Sequence, residues 1–311
     1  MNILEHFKIP QLDTLPDIST NTIPKSTSGK ILLYDGDAAC YKITSKVVKI
    51  ETALKHFETD IYTMMYLSNC SSAKVFLTPR GCLKRNRDSL NTVLPYQGNR
   101  DGKAKPPLLE VLRAQAVNHF KSYKDIEVIP CYDVEADDGL ITAAYTLDNT
   151  CMISFDKDLR MNPFESYDAD DCKSLILPKG DTFGYIERKQ WLTSSGKQSS
   201  KLIGKGLKFF YAQLLMGDTA DHVKGLINYE GKSIGEAGTF KLLDPITDVS
   251  ECANFVIDAY RKINQNVVAE GEAMWLIRNA DDSAFKYLLE QDLSPSNKQY
   301  IYDCNETAWS A

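Results

Sequence analysis

No run in this sequence is long and apolar enough to cross a membrane, which excludes a membrane-spanning helix. The first 29 residues lack the apolar core of a secretory signal. They end in the polar run Pro24-Lys25-Ser26-Thr27-Ser28-Gly29 and read as an extended arm leading into the first strand. There is no internal repeat and no low-complexity tract, so a repeat array is excluded. Eight cysteines stand at positions 40, 70, 82, 131, 151, 172, 252 and 304, and none belongs to a Cys-x-x-Cys pair. Without paired spacing there is no zinc site or disulfide framework to read, and reduced thiols in a cytoplasm are expected.

What is present is ordinary for a globular enzyme: 43% hydrophobic and 25% charged residues over 311 positions, enough for an α/β core and a smaller second module. The net charge of −6 argues against a simple nucleic-acid binder, but it averages over a split. Residues 79–106 hold seven basic side chains (Arg80, Lys84, Arg85, Arg87, Arg100, Lys103, Lys105) against Asp88 and Asp101. Residues 188–208 hold six basic side chains and no acid.

Short apolar runs at 31–34, 73–77, 127–129 and 151–154 read as buried strands, with helix-like stretches at 53–67 and 108–123 between them. This alternation predicts an α/β fold, a mostly parallel central sheet flanked by helices. Ligands in such sheets bind outside the carboxyl ends of the strands. Acids cluster there. Asp35 and Asp37 follow the first strand, Asp133-Val134-Glu135-Ala136-Asp137-Asp138 opens a helix after the third, and Phe155-Asp156-Lys157-Asp158 follows the fourth. A further pair, Asp218 and Asp221, ends a helix-like run at 207–215. Residues 225–243 form a glycine-punctuated turn and a short helix, and 251–289 has helical periodicity.

Carboxylates that converge repel one another and persist only when protonated or neutralised by cations. Oxygen-only ligands favour magnesium or manganese over zinc. Two such ions, about 3.5–4 Å apart, can orient a water and stabilise the attacking and leaving oxygens of a phosphodiester. Taken singly, each acid has a plainer reading. Asp37 serves equally as an N-cap, Glu135 and Asp138 as an acidic first helical turn, and Asp156 and Asp158 as loop acids. Asp168, Asp170 and Asp171 read as a solvated charge run.

Five motifs in order carry a resemblance: Tyr34-Asp35-Gly36-Asp37, Tyr96-Gln97-Gly98-Asn99-Arg100, Val134-Glu135-Ala136-Asp137-Asp138, Ser154-Phe155-Asp156-Lys157-Asp158 and Met216-Gly217-Asp218-Thr219-Ala220-Asp221. From about residue 31 to 243 the chain resembles the flap endonuclease (5′-nuclease, PIN-like) superfamily, and in length and C-terminal tail its phage 5′–3′ exonucleases most. The resemblance implies an N-terminal arm (1–29), a PIN-like core (30–206) with a basic arch (79–106), a helix–three-turn–helix module (207–250) and a helical C-terminal region (251–311). It implies a two-metal 5′–3′ exonuclease of phage replication or recombination, with flap and RNase H-like activity, working as a monomer in the bacterial cytoplasm. Its partners would be duplex DNA with a 5′ end or flap and RNA–DNA hybrid, with no membrane involved.

Under that resemblance Asp35, Glu135, Asp137 and Asp138 hold one Mg2+ or Mn2+, while Asp156, Asp158, Asp218 and Asp221 form or support the second. Arg100 and Gln97 face the scissile phosphate, and Tyr96 stacks on a base beside it. Arg80, Lys84, Arg85, Lys103 and Lys105 line the arch. Gly225, Lys232, Gly235 and Gly238 let duplex phosphates approach, with a K+ ion in the same module. Two departures stand out. The second strand ends in Leu77-Thr78-Pro79-Arg80 with no carboxylate, for which Asp37 is the obvious substitute. Gln97 occupies the place of the arch lysine. Both departures favour an alternative, a 5′-end or flap DNA-binding protein with weakened catalysis. A PIN-type ribonuclease is a third reading, one that leaves the basic arch without a purpose.

Overall fold

The computed structural model describes residues 26–310, so all but the last four residues of the expected N-terminal arm lie outside it. Six strands form the central sheet: β1 (Ile31–Asp35), β2 (Ser72–Leu77), β3 (Ile126–Pro130), β4 (Thr150–Ile153), β5 (Ser166–Asp168) and β6 (Lys173–Leu175). Their order is β3-β2-β1-β4-β5-β6, with all neighbours parallel except the β5–β6 pair. The chain thus builds outward from β1 in one direction, then returns to lay β4 on its other side. The carboxyl ends of β1 and β4 therefore flank a topological switch point, where a crevice opens for lack of a crossing connection.

The near-continuous apolar strands are buried on both faces, as a parallel sheet requires. Side-chain alternation sends Leu32 and Tyr34 into one core cluster and Leu33 into the other. Helices α1 (Gly36–Thr44), α2 (Ile50–Leu67) and α3 (Leu109–His119) cover the first face through residues such as Ala39, Phe57 and Leu112. The second face is covered by α4 (Ala136–Thr146) and by α5 (Leu207–Met216), which lies almost wholly inside the protein.

Between β6 and α5 the structure inserts a hairpin, β7 (Tyr185–Leu192) with β8 (Gln198–Lys205). The basic stretch from 188 onward is therefore a β-ribbon whose outer strand is exposed at nearly every position. After α5 a loop leads to α6 (Glu236–Leu243). The C-terminal region folds as α7 (Val249–Lys262), α8 (Val267–Met274), α9 (Ala284–Leu289) and α10 (Pro295–Glu306). It is no loose tail. Trp275 stacks on Tyr287 at 4.3 Å and meets Phe210 of α5 edge-on, inside the core that also holds α4. Among the described residues no helix is long and apolar enough to cross a membrane.

Candidate active site

Asp35 ends β1 and caps α1, its Oδ1 accepting from the amides of Asp37 (3.0 Å) and Ala38 (3.4 Å). The turn into α1 is tight. A Cβ on Gly36 would come within 2.9 Å of Leu77, Val75 and the Phe76 carbonyl, so glycine is what lets α1 start at the end of the strand. Ser154, just past β4, donates to Asp35 Oδ2 at 2.7 Å and ties the two strand ends together. Asp37 reaches the end of β2, where its Oδ1 accepts from the Thr78 amide at 3.0 Å and pairs with Arg113 at 3.0 Å. A carboxylate thus stands at the end of β2 although that strand supplies none.

Seven carboxylates, those of Asp35, Asp37, Glu135, Asp137, Asp156, Asp158 and Asp221, line one cleft of about 370 Å³ at the switch point. Arg87, Arg100 and Arg113 line it too, which leaves the wall short of positive charge. Burial, with Asp37 and Asp156 nearby, raises Asp35 to about 6. Burial, followed by the charges of Asp35 and Asp156, pushes Asp137 well above the usual carboxylate range, and no hydrogen-bond donor among the described residues reaches it. Asp156 is raised by burial and lowered by the Asp158 amide on its Oδ1 (2.9 Å). Burial raises Asp221 to about 6, against the pull of Arg100, whose NH2 group lies 2.5 Å from its Oδ1.

This donor set suits hard divalent cations: oxygen only, net negative, with no histidine or cysteine. The acids share a cleft without forming a closed cage. Among the described residues no three His, Cys, Asp or Glu side chains already stand as a chelating group.

Several expected roles are relocated. Asp138 is fully buried below the cleft, where both its oxygens accept from Arg87 at 2.8 Å and Oδ1 also accepts from the Ile277 amide at 3.2 Å. Its lone pairs are used, so it is not placed as a metal ligand. Asp218 is also fully buried and does not line the cleft; it pairs with Lys157 at 3.1 Å and binds the Ala220 amide at 2.6 Å. Burial alone would raise it, but the hydrogen bond from Asp158 and Lys157 hold it low, while Asp158 is pushed well up by burial, Asp156 and Asp218.

Tyr96 is buried and its hydroxyl donates to Glu135 Oε2 at 2.7 Å, so its ring is not offered to a base. Gln97, in the left-handed region at φ 52°, turns its amide inward to Glu135 (3.2 Å) and Asp221 (3.1 Å), and accepts from Lys84 Nζ at 2.7 Å. It cross-links acids where a bare phosphate contact was expected. Arg100 remains half exposed at the cleft mouth.

Beside the acids a larger groove of about 840 Å³ is lined by the cations Arg80, Lys84, Arg100, Lys103, Lys105 and Arg113 and by the acids Asp88, Asp101 and Glu110, and it shares Asp37, Tyr96, Gln97 and Glu135 with the acidic cleft. Arg85 is absent from it, because its guanidinium turns to the Asp282 carbonyl (3.0 Å) and Glu272 (3.7 Å). Gly225 is also displaced from its expected role. It is buried against Gly217, its amide donating to Glu270 at 3.1 Å, where no phosphate can approach. Lys232 and Gly235 are exposed ahead of α6, with open space around Gly235, and Gly238 is half-buried. Sequence reasoning does not single out Arg113 and Gln213, and it reads Ser154, Lys157 and Arg87 only as members of a motif or of the basic stretch. Each supports an acid distant in sequence, which no local pattern marks.

The bacteriophage T5 D15 protein, co-crystallised with metal ions, superposes with a TM-score of 0.50 at 14% identity, over 90% of this chain and 99% of that one. The two chains share a fold. A pseudo-enzyme–product complex of bacteriophage T5 D15 flap endonuclease with DNA and metal ions gives a TM-score of 0.49 at the same identity and coverage. No family model matches the chain, and no curated protein matches it in sequence.

Proposed function

We propose that this protein is a divalent-metal-dependent nuclease that hydrolyses DNA from 5′ ends. One observation carries the reading: a cleft walled by seven carboxylates opens directly into a groove of mixed charge that carries the exposed cations Arg80, Lys103 and Lys105. Acids alone would repel a phosphate and exposed cations alone would only bind one. Side by side, they suit a strand held by its phosphates with one phosphodiester brought to the acids. Asp35, Asp137 and Asp156 would hold the cations, with Asp156 raising the proton affinity of Asp35 and both raising that of Asp137, and with Asp37, Glu135, Asp158 and Asp221 around them. Mg2+ or Mn2+ held by these acids would lower the pKa of an attacking water and offset charge on the attacking and leaving oxygens. The T5 D15 protein, whose fold this chain shares, was crystallised with metal ions.

The chain's own groups do the rest. Gln97 holds Glu135 and Asp221 at a fixed spacing. Arg100 sits on Asp221 with its guanidinium half in solvent, placed to exchange that partner for a phosphate oxygen. Arg80, Lys103 and Lys105 are exposed along the groove and would track the backbone of the incoming strand. Lys232, Gly235 and the start of α6 would receive duplex phosphates, with K+ in that loop. The 5′ polarity, flap cutting, attack on RNA–DNA hybrid, monomeric state and bacterial cytoplasm of phage replication follow from the motif resemblance.

A second reading, a 5′-end-binding protein with little catalysis, is favoured by three ion pairs: Arg113 on Asp37, Arg87 on Glu135 and Arg100 on Asp221 already neutralise acids of the cleft. The two separate on end-labelled blunt duplex, 5′-flap and RNA–DNA hybrid substrates with Mg2+ or EDTA. Mg2+-dependent shortening from the 5′ end supports the nuclease, and product length tells exonuclease from flap cutter. Tight, salt-sensitive binding without a product would overturn it in favour of the binder.

A further inference from the structure

The arginine beneath the acids belongs to none of the roles above. Arg87 is one of the largest fully buried side chains in the protein, and every N–H of its guanidinium has a partner. Nε donates to the Glu272 carbonyl at 3.3 Å. One terminal nitrogen donates to Glu135 Oε2 at 3.0 Å and Asp138 Oδ2 at 2.8 Å. The other donates to Asp138 Oδ1 and the Trp275 carbonyl, both at 2.8 Å. Three consecutive left-handed residues, Lys84, Arg85 and Asn86, lead into it (φ 47°, 55° and 57°). A backbone so disfavoured in L-residues persists only where its surroundings hold it. Here the hold comes from the C-terminal region: Arg85 and Arg87 both end on residues 272–282.

We propose that Arg87 is the positioning residue of the acidic cleft. Asp138 and the end of α8 fix the guanidinium from below, and its remaining N–H fixes Glu135 above. Glu135 lines the cleft and also accepts from Tyr96, from Gln97 and from the Asp138 amide in the capping box of α4, so these donors together set where its carboxylate stands. The C-terminal region is thereby part of the site's construction, through backbone carbonyls that leave no trace in side-chain motifs. Arginine is required because only its planar fork reaches a carboxylate with two bonds and still has N–H groups to spare.

This inference rests on the nuclease reading, and the test keeps the two apart. Mn2+ binding without DNA, followed by loss of the free-ion paramagnetic signal, and single-turnover cleavage of a 5′-labelled duplex are measured for wild type, Arg87→Lys, Glu135→Gln and the double variant. Groups that orient a metal ligand typically change metal affinity or activity by about 10–100-fold when removed. Arg87→Lys is expected to lower Mn2+ affinity and the cleavage rate within that range, with DNA binding in Ca2+ unchanged. In the Glu135→Gln background the same substitution is expected to add less than about threefold, because both act through one carboxylate. Asp138→Asn keeps its shape and its acceptor for the Glu135 amide (3.3 Å) while loosening the guanidinium, and it gives the same readout if Arg87→Lys does not fold. Wild-type Mn2+ affinity and rate in a folded Arg87→Lys or Asp138→Asn, or effects that multiply fully in the double variant, would overturn the proposal. Wild-type protein that neither binds Mn2+ nor cleaves would overturn the nuclease reading instead.

Discussion

Asp35→Asn should make the metal-free protein more stable while removing its activity. Asp35 is 3% exposed, and its carboxyl is raised from 3.8 to about 6 by burial and by Asp37 and Asp156. A gap of about two pH units, at about 1.4 kcal/mol each, corresponds to roughly 3 kcal/mol lost when the folded protein keeps this group ionised. The sign follows from proton binding. Between pH 3.8 and about 6 the folded state holds more protons than the unfolded one, so stability falls as pH rises through that window and stays low above it. Asparagine retains an acceptor for the Asp37 and Ala38 amides and is among the best N-caps. Allowing for a weaker bond from Ser154, about 1–3 kcal/mol should remain, or roughly 2–4 °C in Tm for a chain of this length. The assay is calorimetric melting in EDTA at pH 7.5 and pH 4.5, then with Mn2+. The variant should melt higher at pH 7.5, lose that advantage at pH 4.5, and gain less than wild type from Mn2+. A variant that melts lower than wild type in EDTA at pH 7.5 would refute the idea that the cleft stores carboxylate repulsion.

Further predictions concern the groove and the hairpin. Replacing Arg80, Lys103 and Lys105 together by alanine should reduce the slope of log affinity against log salt by at most about 2 for a DNA with a single-stranded 5′ end, at about 0.7 per phosphate contact. An unchanged slope would place the strand elsewhere. Lys205 is fully buried on Asn162 and Ser166 and is lowered to about 7 by burial and by Arg160. The unfolded state binds the extra proton between pH 7 and 10.5, so its burial cost is complete below pH 7 and fades as pH rises. Lys205→Met should therefore raise Tm more at pH 6 than at pH 9, and an equal shift at both would contradict that account.

The sheet and the mouth of the cleft were legible because β1 to β4 are short apolar runs with acids at their ends. The period of the strand and the chemistry of the carboxylate were both local. The hairpin at 185–205 escaped because its outer strand is exposed at nearly every position, so no alternation marks it. Tyr96 read as a stacking residue under the motif resemblance, yet Glu135, 39 residues on, draws its hydroxyl inward. Asp138 looked like its neighbour Asp137 in sequence. On α4 successive residues point about 100° apart, and that turn alone sends one into the cleft and the other down to Arg87. The support given by the C-terminal region comes from the carbonyls of residues 272 and 275, which no side-chain pattern can announce.

The central claim is that the acids of the switch-point cleft make this protein a nuclease, and the most direct measurement is cleavage of 5′-labelled DNA by wild type and Asp156→Asn. Asp156 lines the cleft, and its Oδ1 serves only the Asp158 amide, so the substitution removes a charge with little cost to the fold. The account predicts Mg2+-dependent product from wild type, none in EDTA, and a loss of at least about a hundredfold in the variant at unchanged DNA affinity in Ca2+. Equal cleavage by wild type and Asp156→Asn, or cleavage that persists in EDTA, would contradict it.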